Sequence, residues 1–131
     1  MRIVCISDTH NCNEQISVPA GDLLIHSGDA TVNGTESELA AFAEWFTALP
    51  HKQKIFVAGN HDWLFERDND RARALIANNS VAYLQDSAIE IDGLKIYGSP
   101  WQPRFYDWAF NLDRGHQMAE KWEMIPDDAD I

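Results

Sequence analysis

Lys54-Ile55-Phe56-Val57-Ala58-Gly59-Asn60-His61-Asp62 is the segment on which the fold turns. An apolar run containing β-branched residues reads as a short strand. It drops at once into a glycine followed by polar, metal-competent side chains. The same pattern occurs twice upstream: Arg2 to Ser7 runs into Asp8-Thr9-His10, and Leu23 to Ser27 runs into Gly28-Asp29. Between the second and third strands, Thr35-Glu36-Ser37-Glu38 has the form of a capping box. Leu39, Phe42, Phe46 and Leu49 then recur at helical spacing, and Pro50 closes the helix. Strand-like and helix-like segments in alternation predict α/β packing.

Further along, Asp70 is expected to cap a second helix through Ala72, Leu75 and Ile76, ending at Asn78-Asn79. Val81 to Leu84, Ala88 to Ile91 and Leu94 to Tyr97 read as strands. The last two are joined by Asp92-Gly93, a strong hairpin signal. Ser99 to Asn111 carries too many prolines for a strand and too many aromatics for a solvated linker, so it reads as an ordered loop packed on the body. Its Trp101, Phe105, Tyr106, Trp108 and Phe110 are either core or the wall of a pocket in which a nucleobase stacks. Gly115 to Met124 is expected to form a third helix with Met118 and Trp122 on one face, and the chain then turns toward a further strand.

At 131 residues, 45% hydrophobic and 24% charged, the chain is expected to be a single globular domain over 1–131. Ten Lys+Arg against 21 Asp+Glu give a net charge of −11. That balance argues against a nucleic-acid polymer or an anionic membrane as partner, because both need a basic face. A small phosphorylated substrate stays open, since a bound dication reverses the local field. Cys5 is expected to be a small core hydrophobe and Cys12 a loop residue. Two cysteines are too few for a disulfide framework, and no stretch approaches ~20 apolar residues, so the expected location is cytoplasmic.

In an open α/β sheet, ligands bind beyond the carboxyl ends of the strands. The three polar clusters therefore converge, although about 20 and 30 residues separate them along the chain. Asp8 and His10, two apart, face the same way if the backbone stays extended. Gly28 lets Asp29 turn inward, and its carboxylate can bridge two cations. Asn60 offers a neutral amide oxygen, and His61 a proton donor or a charge aimed at a phosphoryl group. Of the remaining histidines, His26 is expected to be a hydrogen-bonded core residue, His51 solvent-facing, and His116 the opening of the last helix.

In order and spacing, Asp8-Thr9-His10, Gly28-Asp29 and Gly59-Asn60-His61-Asp62 resemble the first three motifs of the calcineurin-like metallophosphoesterases. The stretch Tyr97-Gly98-Ser99-Pro100-Trp101-Gln102-Pro103, continuing to Trp108-Ala109-Phe110-Asn111, is similar to the metallophosphoesterase-domain subset first described from brain. The likeness covers essentially the whole chain. It implies a sandwich of mixed β-sheets flanked by helices. It implies Asp8, His10, Asp29 and Asn60 as ligands of one or two divalent ions, Mn or Fe. Asn60 and His61 would bind the substrate phosphate, and His61, oriented by Asp62, would act catalytically. The implied activity is hydrolysis of a small phosphodiester or phosphomonoester, such as a nucleotide, by a metal-activated hydroxide.

The family pattern continues with a strand ending in histidine and a Gly-His-x-His motif, which supply further metal ligands. Here it is expected to be C-terminally truncated. The alternative expectation is accordingly a non-catalytic remnant that binds a metal or a nucleotide. An uncovered sheet edge or face makes a homo-oligomer the expected state.

Overall fold

The computed structural model describes residues 1–77 and 80–131. Strands β1 (Ile3–Ile6), β2 (Leu23–His26), β3 (Gln53–Phe56) and β4 (Val81–Tyr83) form one parallel sheet in sequence order. A 3-10 turn at Asn13–Gln15 lies in the first crossover and α1 (Glu36–Ala48) in the second; α2 (Trp63–Arg67) and α3 (Asn69–Ile76) share the third. Parallel neighbours need such long returns, and they bring every strand's carboxyl end to the same side of the sheet.

The four residues of β2 are all buried, and their alternation divides the core in two. Leu24 joins Leu39, Phe42 and Phe46 of α1, Phe56 of β3, and Phe65 and Ile76 of the next two helices. His26 points to the same side, 5.0 Å from the Phe42 ring and 5.5 Å from Phe56. Leu23 and Ile25 look the other way and pack with Ile55, Leu84 and Ile96. That second face is covered by an antiparallel hairpin, β5 (Ser87–Ile91) and β6 (Leu94–Gly98). The architecture is helices, parallel sheet, hairpin: a mixed α/β fold.

Local chemistry explains the element ends. Thr35 Oγ1 accepts from the Glu38 amide at 3.2 Å while Glu38 Oε2 accepts from the Thr35 amide at 3.0 Å, closing the expected capping box of α1. Asp92 (φ 51°) and Gly93 (φ 83°) form the two-residue loop between Ile91 and Leu94, with the left-handed backbone that such a hairpin requires. The aromatic stretch is ordered by a short parallel pair, β7 (Gln102–Pro103) with β8 (Asn111–Leu112), and is followed by α4 (His116–Trp122). Residues 130 and 131 lie along β6, where the Asp130 amide donates to the Lys95 carbonyl at 2.8 Å and the Tyr97 amide to the Ile131 carbonyl at 2.9 Å.

Several expectations need correction. Cys5 is exposed rather than core, because β1 is the edge strand and the side of the sheet it faces is uncovered there. His51 is only 3% exposed, its Nε2 donating to the Pro19 carbonyl at 2.9 Å while its own carbonyl accepts from Lys54 Nζ at 2.9 Å. The residue after Pro50 is thus turned inward rather than toward water. The cap of α3 is Asp68, whose Oδ1 accepts from the Arg71 amide at 3.2 Å; Asp70 lies in the first turn. The helix end expected at Asn78-Asn79 falls outside the described residues. In α4, Met118 is buried but Trp122 is 57% exposed, so the two do not share a packed face.

Candidate metal centre

Three loops leave the carboxyl ends of β1, β2 and β3, and the first two are laced together by backbone bonds. The Asp8 amide donates to the Gly28 carbonyl at 2.9 Å, His10 to Asp29 at 3.0 Å, and Asn11 to Ala30 at 2.9 Å. Making these bonds forces Asp8 (φ 55°), His10 (φ 42°), Asn11 (φ 57°) and Asp29 (φ 55°) into the left-handed region. Non-glycine residues adopt it at a cost, and such strain gathers at working sites. It also overturns the extended-backbone premise for Asp8 and His10. The chain turns at both residues, yet their side chains still meet, with Asp8 Oδ1 4.0 Å from His10 Nε2.

The second and third loops touch through glycine. A Cβ on Gly59 would lie 2.2 Å from Asp29 Oδ1 and 2.4 Å from its amide nitrogen. Gly28, at φ 107°, packs on Gly59 from the other side, where a Cβ would lie 2.7 Å from the Gly59 Cα. Only two facing glycines let these backbones approach so closely. The contact brings the His61 amide onto Asp29 Oδ1 at 2.9 Å.

Each histidine of the site is fixed from behind. His10 Nδ1 donates to the Thr31 carbonyl at 3.0 Å and His61 Nδ1 to the Val32 carbonyl at 2.7 Å. A backbone carbonyl on Nδ1 sets the tautomer and leaves Nε2 as the basic nitrogen. The two rings meet edge to face with centroids 4.6 Å apart. Potential ligand atoms of His10, Asp29 and His61 all lie within 4.8 Å of one another, and all three side chains are half-buried. Two imidazoles and a carboxylate make a donor set suited to a divalent first-row ion.

Asp8 stands at the rim, more exposed than the others. Asn60 precedes His61 in the same turn, its carbonyl accepting from the Ala109 amide at 3.1 Å. Asp62 is 1% exposed and reaches across rather than outward. Its Oδ1 accepts from the Thr31 amide (3.0 Å) and the Thr31 hydroxyl (2.8 Å), and its Oδ2 from the amides of Gly59 (2.8 Å) and Ala30 (3.3 Å). Burial pushes this carboxyl above the usual range, and the four donors pull it back. Its link to His61 is through the backbone that it braces.

Residues that the sequence does not single out complete the site. The carbonyls of Thr31 and Val32 aim both imidazoles, and the Trp108 ring covers His61 at a centroid distance of 4.1 Å. A backbone carbonyl carries no residue-type signal. Trp108 stands out in the sequence only as one member of an aromatic stretch. His26 is the hydrogen-bonded core residue expected, Nε2 3.0 Å from Thr9 Oγ1 and Nδ1 accepting from the Gly28 amide at 3.2 Å. Burial lowers its pKa from 6.5 to about 4.

Comparison with known proteins agrees with this geometry. Residues 1–130 match the family model of the calcineurin-like phosphoesterases. The chain is 41% identical over 153 residues to metallophosphoesterase domain-containing protein 1 of Homo sapiens, and equally so to that of Mus musculus, covering 99% of this chain and 46% of each relative. A UPF0046 protein of Caenorhabditis elegans is 38% identical over 143 residues, which is all of this chain and 49% of that protein. This chain is a member of the calcineurin-like phosphoesterase family. It spans about half the length of these relatives.

Proposed function

We propose that the protein is a metal-dependent phosphoesterase hydrolysing a small phosphodiester or phosphomonoester, with a nucleotide among the candidate substrates. In this reading Asp8, His10, Asp29 and Asn60 hold one or two divalent ions, Mn or Fe. Asn60 and His61 receive the substrate phosphate. The observation that carries it is the meeting of His10, Asp29 and His61, whose potential ligand atoms lie within 4.8 Å of one another while both imidazoles are held through Nδ1 by backbone carbonyls. When bound, the ion supplies Lewis-acid polarisation and lowers the pKa of water.

The chain's own residues do the remainder. Asp29, fixed by the His61 amide, holds the centre of the donor set. His61, pinned between the Val32 carbonyl and Trp108, presents Nε2 to the substrate phosphate and its leaving oxygen. Asp62 keeps the second and third loops in register. Half-burial of the three side chains limits competing water and strengthens each charge interaction.

The test is hydrolysis of 4-nitrophenyl phenyl phosphate with added Mn²⁺, in the parent chain and in Asp29→Asn. The expected result is metal-dependent turnover that falls at least 100-fold in the variant, on the order of what a lost general catalytic group costs. Stoichiometric metal uptake with no turnover in the parent would favour the binding-only alternative.

We also propose self-association. It is supported by the open edge at β1 with its exposed Cys5, and by Ile16, Trp122, Met124 and Ile125, which are all 40% or more exposed.

A further inference from the structure

Beside the candidate metal centre lies an open groove walled by Trp63, Phe105, Tyr106, Asp107 and Trp108. Phe105 and Tyr106 are 64% and 75% exposed, unusual for large apolar rings at a loop tip. They are not loosely hung. Asn111 grips the loop, its Nδ2 donating to the carbonyl of Tyr106 at 2.7 Å and to that of Phe105 at 3.4 Å, while its Oδ1 accepts from the Phe105 amide at 3.4 Å. β7 and β8 clamp the base, and Tyr106 is held in the left-handed region at φ 50°. The two rings meet edge to face with centroids 4.6 Å apart. Across the groove, the guanidinium of Arg67 lies over the Trp63 ring, 4.6 Å from its centroid.

The position of the groove selects its occupant. Trp108 is shared: it lines the groove and lies against His61, whose other neighbour is His10. Trp108 therefore links the groove to the donor set. A phosphoester with its phosphorus at that set would have the groove within reach of its organic group, past Trp108. The rings offer π faces to a flat group there.

We propose that this groove is a specificity subsite for a planar aromatic ring carried by the phosphoester, with Phe105 and Tyr106 as the residues that select it. The proposal rests on the reading of Asp8, His10, Asp29 and Asn60 as a metal centre at which Asn60 and His61 take the phosphate. Stacking of this kind is worth about tenfold or more in affinity for each ring engaged.

The experiment is a titration of the Mn²⁺-loaded chain with phenylphosphonate and with methylphosphonate by calorimetry. It uses the parent and the Phe105→Ala/Tyr106→Asn double variant, in which asparagine tolerates the left-handed backbone. Mn²⁺ content is measured for both proteins beforehand. We expect phenylphosphonate to bind about tenfold more tightly than methylphosphonate in the parent. In the variant that preference vanishes, with methylphosphonate affinity and Mn²⁺ content unchanged. Equal affinity of the two phosphonates in the Mn²⁺-loaded parent, or a preference that survives the double substitution, overturns the subsite and leaves the metal centre standing. Absence of Mn²⁺ from the parent removes the metal centre, and the subsite with it.

Discussion

His26 and Asp62 are the two buried ionisable residues on which the site leans, and each carries an expectation at the residue scale. His26 stays neutral in the fold because burial lowers its pKa from 6.5 to about 4. A depressed histidine pKa contributes stability that is fully present above pH 6.5 and is lost as pH falls toward 4. The expected loss is about 3 kcal/mol across that window, at about 1.36 kcal/mol for each pH unit between the unfolded and folded values. Urea unfolding at several pH values checks it: His26→Gln, which keeps a hydrogen-bonding side chain opposite Thr9, should flatten that limb of the profile. Asp62→Ala leaves the amides of Ala30, Thr31 and Gly59 without their acceptor. The variant is expected to lose about 3 kcal/mol, the scale of breaking a buried network. Asp8, His10, Asp29, Asn60 and His61 are legible in the sequence as candidates because metal chemistry restricts residue type. The left-handed turns at Asp8 and His10 are not, since they arise from bonds to Gly28 and Asp29, far along the chain.

At the scale of elements, the strongest local signals match the structure. The capping box opens α1, and Asp92-Gly93 turns the hairpin, because both motifs satisfy their backbone groups within a few residues. Elements set by distant contacts leave no such trace. α2 is five residues long and begins directly after the His61-Asp62 motif, too short for a periodic pattern. β7 and β8 are two residues each and exist only because their partners hold them. The contact of the loops after β2 and β3 is the element-scale feature most open to test. Gly59→Ala puts a methyl 2.2 Å from Asp29 Oδ1, so one loop must move. We expect the variant to fold, as judged by far-UV circular dichroism, with Mn²⁺ affinity reduced at least tenfold in equilibrium dialysis.

For the whole molecule, the α/β class can be read from alternating segments, whereas the division of labour between sheet faces cannot. Helices cover one face and the hairpin the other, and β1 forms an edge that leaves Cys5 in solvent. An apolar residue on a strand reads the same whether or not a neighbour covers it, which is why the core placement expected for Cys5 fails. Among the described residues, no helix is long and apolar enough to cross a membrane. Self-association through exposed apolar surface is expected to appear as a concentration-dependent rise in sedimentation coefficient from 1 to 100 µM. A constant monomeric value over that range would count against it.

The convergence of three loops on one cation is tested most directly by counting metal. After dialysis against micromolar Mn²⁺ and passage through a desalting column, elemental analysis of the parent chain should find at least one ion per molecule. The same treatment of Asp29→Asn should find almost none, with the variant's fold intact by circular dichroism. An intact parent that emerges without metal, or an Asp29→Asn chain that retains as much as the parent, would contradict the assignment of His10, Asp29 and their neighbours as a metal centre.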